Sequence, residues 1–479
     1  MEDKELTISI INSDKHVTKE RFITAFLAAL IASLASLCFG FAIGYTSPTE
    51  VAIENDSRLN ITKDEFSWFA SIVALGALLG SILAGFSVDK FGRKTTILIT
   101  SVFYIPGWCL ICYATNIFML YAGRILVGVG VGITSLTVPL YIAEVSSAQL
   151  RGGLGAINQF GITIGIFLSY LVGSSLSWDW TAIFAIAVVA VMVILMIFMP
   201  ETPRWLITNN QRQKALQNLI WLRGSLYDVE KECNEMETNL GKQENASLKD
   251  FRKMGLFRLL LIGGFLMFFQ QFCGINAVLF FNAKIFSSAG FNNSKVVSLS
   301  VGATLVLATA VSCLIVDKSG RKILLMVGSI VMFLCNFFLA IYYDIAKIPL
   351  NVGQKTISIF GRNISHSVPL SQISWLGVLC VIVYIAIFSL GWGPLPWLLM
   401  SEIFPPRIRG FASAVVTFIN WSLVFLVTKS FQYMIKSFYE QGTFFFYSLF
   451  CLLSFFFVFF FVPETKGKTF EEIQHCLKK

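Results

Sequence analysis

Charge is scarce in this chain. Only 14% of its 479 residues are Asp, Glu, Lys or Arg, against about 25% in soluble domains. No acidic residue stands near the middle of any long apolar run, and His16, His366 and His475 all fall outside those runs. A site built on buried carboxylates or imidazoles within the apolar segments is therefore excluded. A phosphate-cradling Gly-rich loop with its Lys is also missing, which excludes nucleotide-driven work. The ten cysteines are scattered, and no disulfide framework can be read from them. Cys109 and Cys112 stand at i,i+3 inside an apolar run, where they read as small packing residues. Residues 1–21 are polar, so no cleavable leader is expected. Nothing assembles a catalytic constellation, and neither enzymatic activity nor a cofactor or metal is expected.

What is present is apolar: 56% of residues are hydrophobic, with 46 phenylalanines. Crossing a bilayer takes about 20 mostly apolar residues. Twelve such runs can be read, at 22–46, 66–88, 95–114, 119–143, 153–173, 179–199, 257–288, 296–316, 323–344, 374–400, 410–436 and 443–462. Twelve crossings put both termini on one side. With the termini inside, 27 of the 37 Lys and Arg residues fall on the cytoplasmic side and 8 on the outer side. Arg124 and Lys429 fall within spans. That asymmetry is the positive-inside rule, and it accounts for the net charge of +9 without a nucleic acid. The expected divisions are a cytoplasmic tail 1–21, a six-helix half 22–199, cytoplasmic linker helices 200–256, a second half 257–462 and a tail 463–479. Within the linker, Gln211–Arg223 and Asp228–Leu240 have helical apolar spacing. Sequons at Asn55, Asn60 and Asn363 fall in outer loops, where glycosylation is expected. Asn245 also begins a sequon but falls inside.

The chain repeats itself. Asp89-Lys90-Phe91-Gly92-Arg93-Lys94 returns as Asp317-Lys318-Ser319-Gly320-Arg321-Lys322. Glu144 with Arg151-Gly152 returns as Glu402 with Arg409-Gly410, and Pro200-Glu201-Thr202 as Pro463-Glu464-Thr465. Each copy of the first motif is a charged turn between two membrane-length helices, and Gly supplies the φ > 0 such a turn needs. Duplicated membrane halves are the architecture of secondary transporters, with the substrate site between the halves. The acidic members of these motifs are not required by the positive-inside rule. Asp89, Arg93, Glu144, Arg151, Asp317, Arg321, Glu402 and Arg409 are therefore expected to form an ion-pair network that biases a two-state motion by latching the cytoplasmic side.

Gln159, Gln270, Gln271, Asn276, Asn282 and Asn420 are amides in otherwise apolar spans. An amide both donates and accepts, which complements a sugar hydroxyl. Each amide alone would serve equally as glue between helices; the clustering of Gln270, Gln271 and Asn276 favours a site. Trp397 offers a face for a pyranose ring. Gly391, Gly393, Pro394 and Pro396 interrupt the tenth span, and freed backbone groups at membrane depth must find partners or line a cavity. A gating hinge is expected there. Arg124 is costly at the bilayer centre, about 2.5–3.5 kcal/mol on insertion scales, so it should face the interior.

Together these strings resemble the sugar porter family of the major facilitator superfamily over nearly the whole chain. They are Gly123-Arg124-x3-Gly128, Pro139-x-Tyr141-x-x-Glu144, Pro200-Glu201-Thr202-Pro203-Arg204-Trp205, Gln270-Gln271-x-x-Gly274-Ile275-Asn276, Gly391-x-Gly393-Pro394-x-Pro396-Trp397 and Pro463-Glu464-Thr465-Lys466-Gly467. Gly44-Tyr45-Thr46-Ser47-Pro48, Asn420-Trp421-Ser422 and Val427-Thr428-Lys429 further resemble insect facilitated trehalose transporters. The resemblance implies an all-α membrane protein of twelve helices in two halves. It places the sugar contacts at Gln159, Gln270, Gln271, Asn276, Trp397 and Asn420. Leu305 and Ser389 depart from the polar residues of many glucose transporters, and Thr46 stands where proton-coupled sugar porters carry an Asp. The expectation is a monomeric plasma-membrane uniporter in contact with lipid, moving trehalose or, second, a hexose. A proton symporter and a non-transporting sugar sensor are the rivals.

Overall fold

The computed structural model describes residues 22–147, 151–225, 227–241, 256–288, 294–346, 357–359, 362–364, 370–404 and 409–466. The N-terminal tail, the C-terminal tail beyond Lys466, Asn245 and the three histidines lie outside these residues.

Apolar runs this long have no water partner for their backbone in a bilayer, so they close their hydrogen bonds internally as helices. The first half comprises α1 (Phe22–Gly44) with its continuation α2 (Thr46–Glu54), α3 (Lys63–Phe91), α4 (Arg93–Cys112), α5 (Ile117–Val145), α6 (Arg151–Ser175) and α7 (Trp178–Ile197). Three short helices follow: α8 (Pro203–Thr208), α9 (Arg212–Arg223) and α10 (Val229–Gly241). The second half holds α11 (Leu256–Phe272), α12 (Ile275–Ser288), α13 (Ser294–Ser319), α14 (Arg321–Ala346), α15 (Leu370–Leu390), α16 (Leu395–Ile403) and α17 (Arg409–Phe461). Among the described residues, eleven helical segments are long and apolar enough to cross a membrane. The last of them breaks at Tyr439 (φ 59, ψ 179) and makes two crossings, so the total is twelve.

One detail departs from the sequence reading: the run 257–288 is not one helix but breaks between α11 and α12 at Gly274. Before α15, β1 (Ile357–Ile359) and β2 (Arg362–Ile364) pair antiparallel with Ser358 opposite Asn363. Isoleucines flanking a short Gly-containing connection suit a hairpin.

Small residues set the packing of the first half. Gly76-x3-Gly80 on α3 meets Gly128-x3-Gly132 on α5, and a methyl added at Gly80 would lie 2.2 Å from the Val129 carbonyl oxygen. Backbones this close gain dispersion contacts that lipid tails cannot match. The second half relies more on rings, such as Phe268 stacked on Phe272 with centroids 4.4 Å apart.

The turns at Gly92 (φ 89) and Gly320 (φ 86) lie at the same end of the bundle. That basic end also carries α8–α10. Leu206, Ile207, Ala215, Leu219 and Cys233 give these helices a small core of their own. Buried Arg223 ties them to the bundle through the Val145 carbonyl, 2.7 Å away, and pairs with Glu232 at 3.0 Å. The halves meet through α2 with α12, α3 with α17 and α6 with α13. Their hydrogen bonds among the described residues cluster at the opposite end. Ser47 donates to Asn282 at 2.8 Å, Tyr170 to the Leu279 carbonyl at 2.7 Å, and Lys295 to the Ser174 carbonyl at 2.9 Å.

Candidate functional site

Two helices are broken at mid-span, and the breaks face each other. Between α11 and α12, Gly274 takes φ +93, and a methyl there would lie 2.6 Å from the Tyr447 ring. Only Gly fits both the backbone angle and the space. The freed carbonyl of Cys273 accepts from Tyr384 at 2.9 Å and from Asn336 at 3.3 Å. Between α15 and α16, residues 391–394 leave the helix. The carbonyls of Trp392 and Gly393 accept from the Gln270 side-chain amide at 2.7 and 3.1 Å. The Trp392 indole is fully buried and donates to the Leu325 carbonyl and to Ser329 Oγ at 3.1 and 3.0 Å.

The amides expected to form the site are drawn together at these breaks. Asn276 Nδ2 donates to Gln271 Oε1 at 2.5 Å, and Gln271 Nε2 donates to Asn420 Oδ1 at 2.7 Å. Gln270, Gln271 and Asn420 are buried, while Asn276 is half-buried. This relay orients three amides without fully occupying them. The free lone pairs and N–H groups can serve hydroxyls. Half-buried Trp397 follows on α16, and half-buried Gln159 belongs to α6 of the other half.

Asn282 is not part of the relay. It is fully buried toward the end opposite the turns, where Ser47 and Ser298 donate to its Oδ1 at 2.8 and 2.5 Å. Arg124 faces the interior and is completely buried. It donates to the carbonyls of Ala42 at 2.9 Å and Phe69 at 3.3 Å, and to Thr46 Oγ1, and it lies 4.9 Å from the Phe69 ring centroid. Its hydrogen-bond acceptors among the described residues are all neutral. Two amides were not singled out from the sequence: Asn158, which accepts from Ser36 at 2.6 Å, and Asn336, which donates to the Cys273 carbonyl at the break. The rule that found the other amides, an amide in an apolar run, would have found Asn158 and Asn336.

At the basic end the repeated motifs build one device twice. The backbone N–H groups of Arg93 and Lys94 donate to the Glu201 carboxylate at 3.0 and 3.1 Å, and those of Arg321 and Lys322 to Glu464 at 3.0 and 3.1 Å. A carboxylate there satisfies the orphan donors of a helix start and its positive dipole end. Arg93 pairs with Glu144 at 2.9 Å and Arg321 with Glu402 at 3.2 Å. Each pair joins helices of one half, α4 to α5 and α14 to α16, rather than one half to the other. Asp89 is exposed, and the side chains of Arg151, Asp317 and Arg409 lie outside the described ones. The copies differ in detail. Burial raises the Glu201 carboxyl above its ordinary value. Burial acts the same way on Glu464, but the backbone N–H groups of Lys466, Arg321, Lys322 and Thr465 outweigh it and hold that carboxyl below.

Twelve apolar crossings in two like halves, with broken helices and bonded amides at mid-depth, define a membrane transporter of the duplicated type. A family model described as "Sugar (and other) transporter" matches residues 28–477. The chain belongs to that family. It is 37% identical to the facilitated trehalose transporter Tret1 of Bombyx mori, over 96% of this chain and 88% of that protein. It is 38% identical to the facilitated glucose transporter member 8 of solute carrier family 2 from Mus musculus, over 94% of this chain and 93% of that one. The inward-open form of the xylose transporter XylE from E. coli has the same fold, with a TM-score of 0.76 at 25% identity over 94% of this chain and 99% of that one.

Proposed function

We propose that this protein is a facilitative transporter of trehalose, working by alternating access in the plasma membrane. The observation that carries the reading is the amide relay Asn276–Gln271–Asn420 at the facing breaks. It is uncharged, as a site for a neutral polyol should be, and it adjoins backbone that can flex. Gln159 from the first half and Trp397 complete the contacts. Residues 22–199 and 257–462 are the two moving halves, and 200–256 links them. The basic end is cytoplasmic, supported by the Lys and Arg asymmetry. Exposed Asn55 and Asn60, with Asn363, then face outward for glycosylation. The ion pairs Arg93–Glu144 and Arg321–Glu402 stiffen each half at the cytoplasmic end. Relatives named for trehalose and for glucose are nearly equal in identity, so a hexose is the second reading.

Transport is uncoupled. Arg124 faces Thr46 and two carbonyls, none of which titrates near neutrality. Purified protein in vesicles should exchange labelled trehalose and stop at equal concentrations, with or without an imposed pH gradient. Accumulation that collapses with a protonophore would replace the uniporter with a symporter. Exchange of glucose alone would replace trehalose with a hexose.

A further inference from the structure

Trp421, Phe425, Lys429 and Tyr433 recur every four residues along α17 and so share one face of it. That face lies against the first half. Trp421 packs on Phe39 of α1 with ring centroids 5.8 Å apart, and Phe425 packs on Trp68 of α3 at 6.0 Å. Farther along, the Lys429 ammonium stands 4.3 Å from the Trp68 ring centroid and 3.3 Å from Asp64 Oδ1. Tyr433 donates its hydroxyl to that same oxygen at 2.6 Å. The seam therefore grades from aromatic at depth to charged at its outer end.

Each component has a reason to be there. Lys429 is 13% exposed, so its charge must be matched locally. The ring of Trp68 and the Asp64 carboxylate do so from the other half. Asp64 is in the first turn of α3, where the helix dipole favours an anion. Its neighbour Glu65 is committed to a capping box with Thr62, which leaves Asp64 for α17. The inner end of the seam reaches the amide relay, because Trp421 follows Asn420 directly.

We propose that Lys429 is the latch of the gate at the end opposite the turns. It clamps the start of α3 while that end is shut and releases it once per cycle. When the halves part, water entering the opened vestibule takes over the solvation of Lys429, while Asp64, already exposed, stays hydrated. The two states are thereby kept close in free energy, as a gate that must cycle requires. The inference rests on the alternating-access reading.

Spin labels on Val51 and Phe438, both exposed at that end on opposite halves, report its opening in the full-length protein in nanodiscs. Lys429→Met and Asp64→Asn should each raise the ratio of the longer to the shorter distance by about threefold to tenfold, the worth of one exposed ion pair and one cation–π contact. Asp64→Lys combined with Lys429→Asp should return the ratio toward that of the unaltered protein. Distance distributions unchanged in both single variants, or a swapped pair as open as the singles, would overturn the latch. The measurement needs no sugar. A protein that failed to exchange any sugar in vesicles would overturn the transporter reading and still leave this result legible.

Discussion

Gln270 donates its side-chain amide to the main-chain carbonyl of Trp392, 2.7 Å away. One residue thus belongs both to the amide group at the end of α11 and to the break between α15 and α16. Its neighbour Gln271 has a different commitment, to Asn420 and Asn276. On the proposed reading the adjacent amides divide the labour: Gln271 builds the binding surface, and Gln270 holds the hinge to it.

Alanine variants of the two should separate these roles. Gln271→Ala leaves buried Asn420 and half-buried Asn276 short of a partner and should weaken sugar binding by about 1–3 kcal/mol, the cost of an unmade buried hydrogen bond. Gln270→Ala should weaken binding by a similar amount and also lower the maximal exchange rate. Equilibrium binding and counterflow on protein at matched surface levels will distinguish them. Unchanged affinity in both would remove the pair from the site.

Gly274→Ala should destabilise the fold. Its φ of +93 costs a residue with a Cβ about 1–2 kcal/mol, and the new methyl would press on the Tyr447 ring. The unfolding temperature in detergent should fall by several degrees. An unaltered transition would mean that the break between α11 and α12 is not required.

The two capping glutamates should respond to acid with opposite signs. Glu464 titrates below its ordinary 4.5, so its stabilisation is present above that value and is lost as pH falls through the lowered one. Glu201 titrates above 4.5, so the native state holds its proton more tightly than the unfolded chain does, and its contribution declines as pH rises from 4.5 to the raised value. Thermal unfolding of Glu464→Gln and Glu201→Gln from about pH 4 to about pH 7 tests this. The margin of the unaltered protein over Glu464→Gln should widen with pH, and its margin over Glu201→Gln should narrow. Parallel slopes would contradict the difference between the copies.

Orientation is open to a simple chemical test. Replacing Asn55, Asn60 and Asn363 together by Gln should abolish the mass shift produced by glycosidase, and Asn245 should carry no glycan. A glycan on Asn245 would turn the linker outward and reverse the assignment of sides.

Much of this protein is determined by local sequence alone. An apolar run in a membrane has one way to satisfy its backbone, so the crossings could be counted from hydropathy, as could the side on which basic residues gather. The repeat was visible because both halves need the same Gly turn and the same carboxylate cap, and the Gly-x3-Gly pairs of α3 and α5 were equally open to reading. Only the tertiary structure decided which residues meet. Amides separated by nearly 150 positions, Gln271 and Asn420, bond to each other, while Asn282, six residues beyond Asn276, turns away to Ser47 and Ser298. The charged motifs suggested a latch on the cytoplasmic side; of them, Arg93–Glu144 and Arg321–Glu402 close within each half, and among the described residues an ion pair that does cross between halves is Lys429 with Asp64. Periodicity places a side chain on a face of its own helix. The partner that face meets depends on how whole helices cross, and that depends on long-range packing which no short stretch of sequence contains.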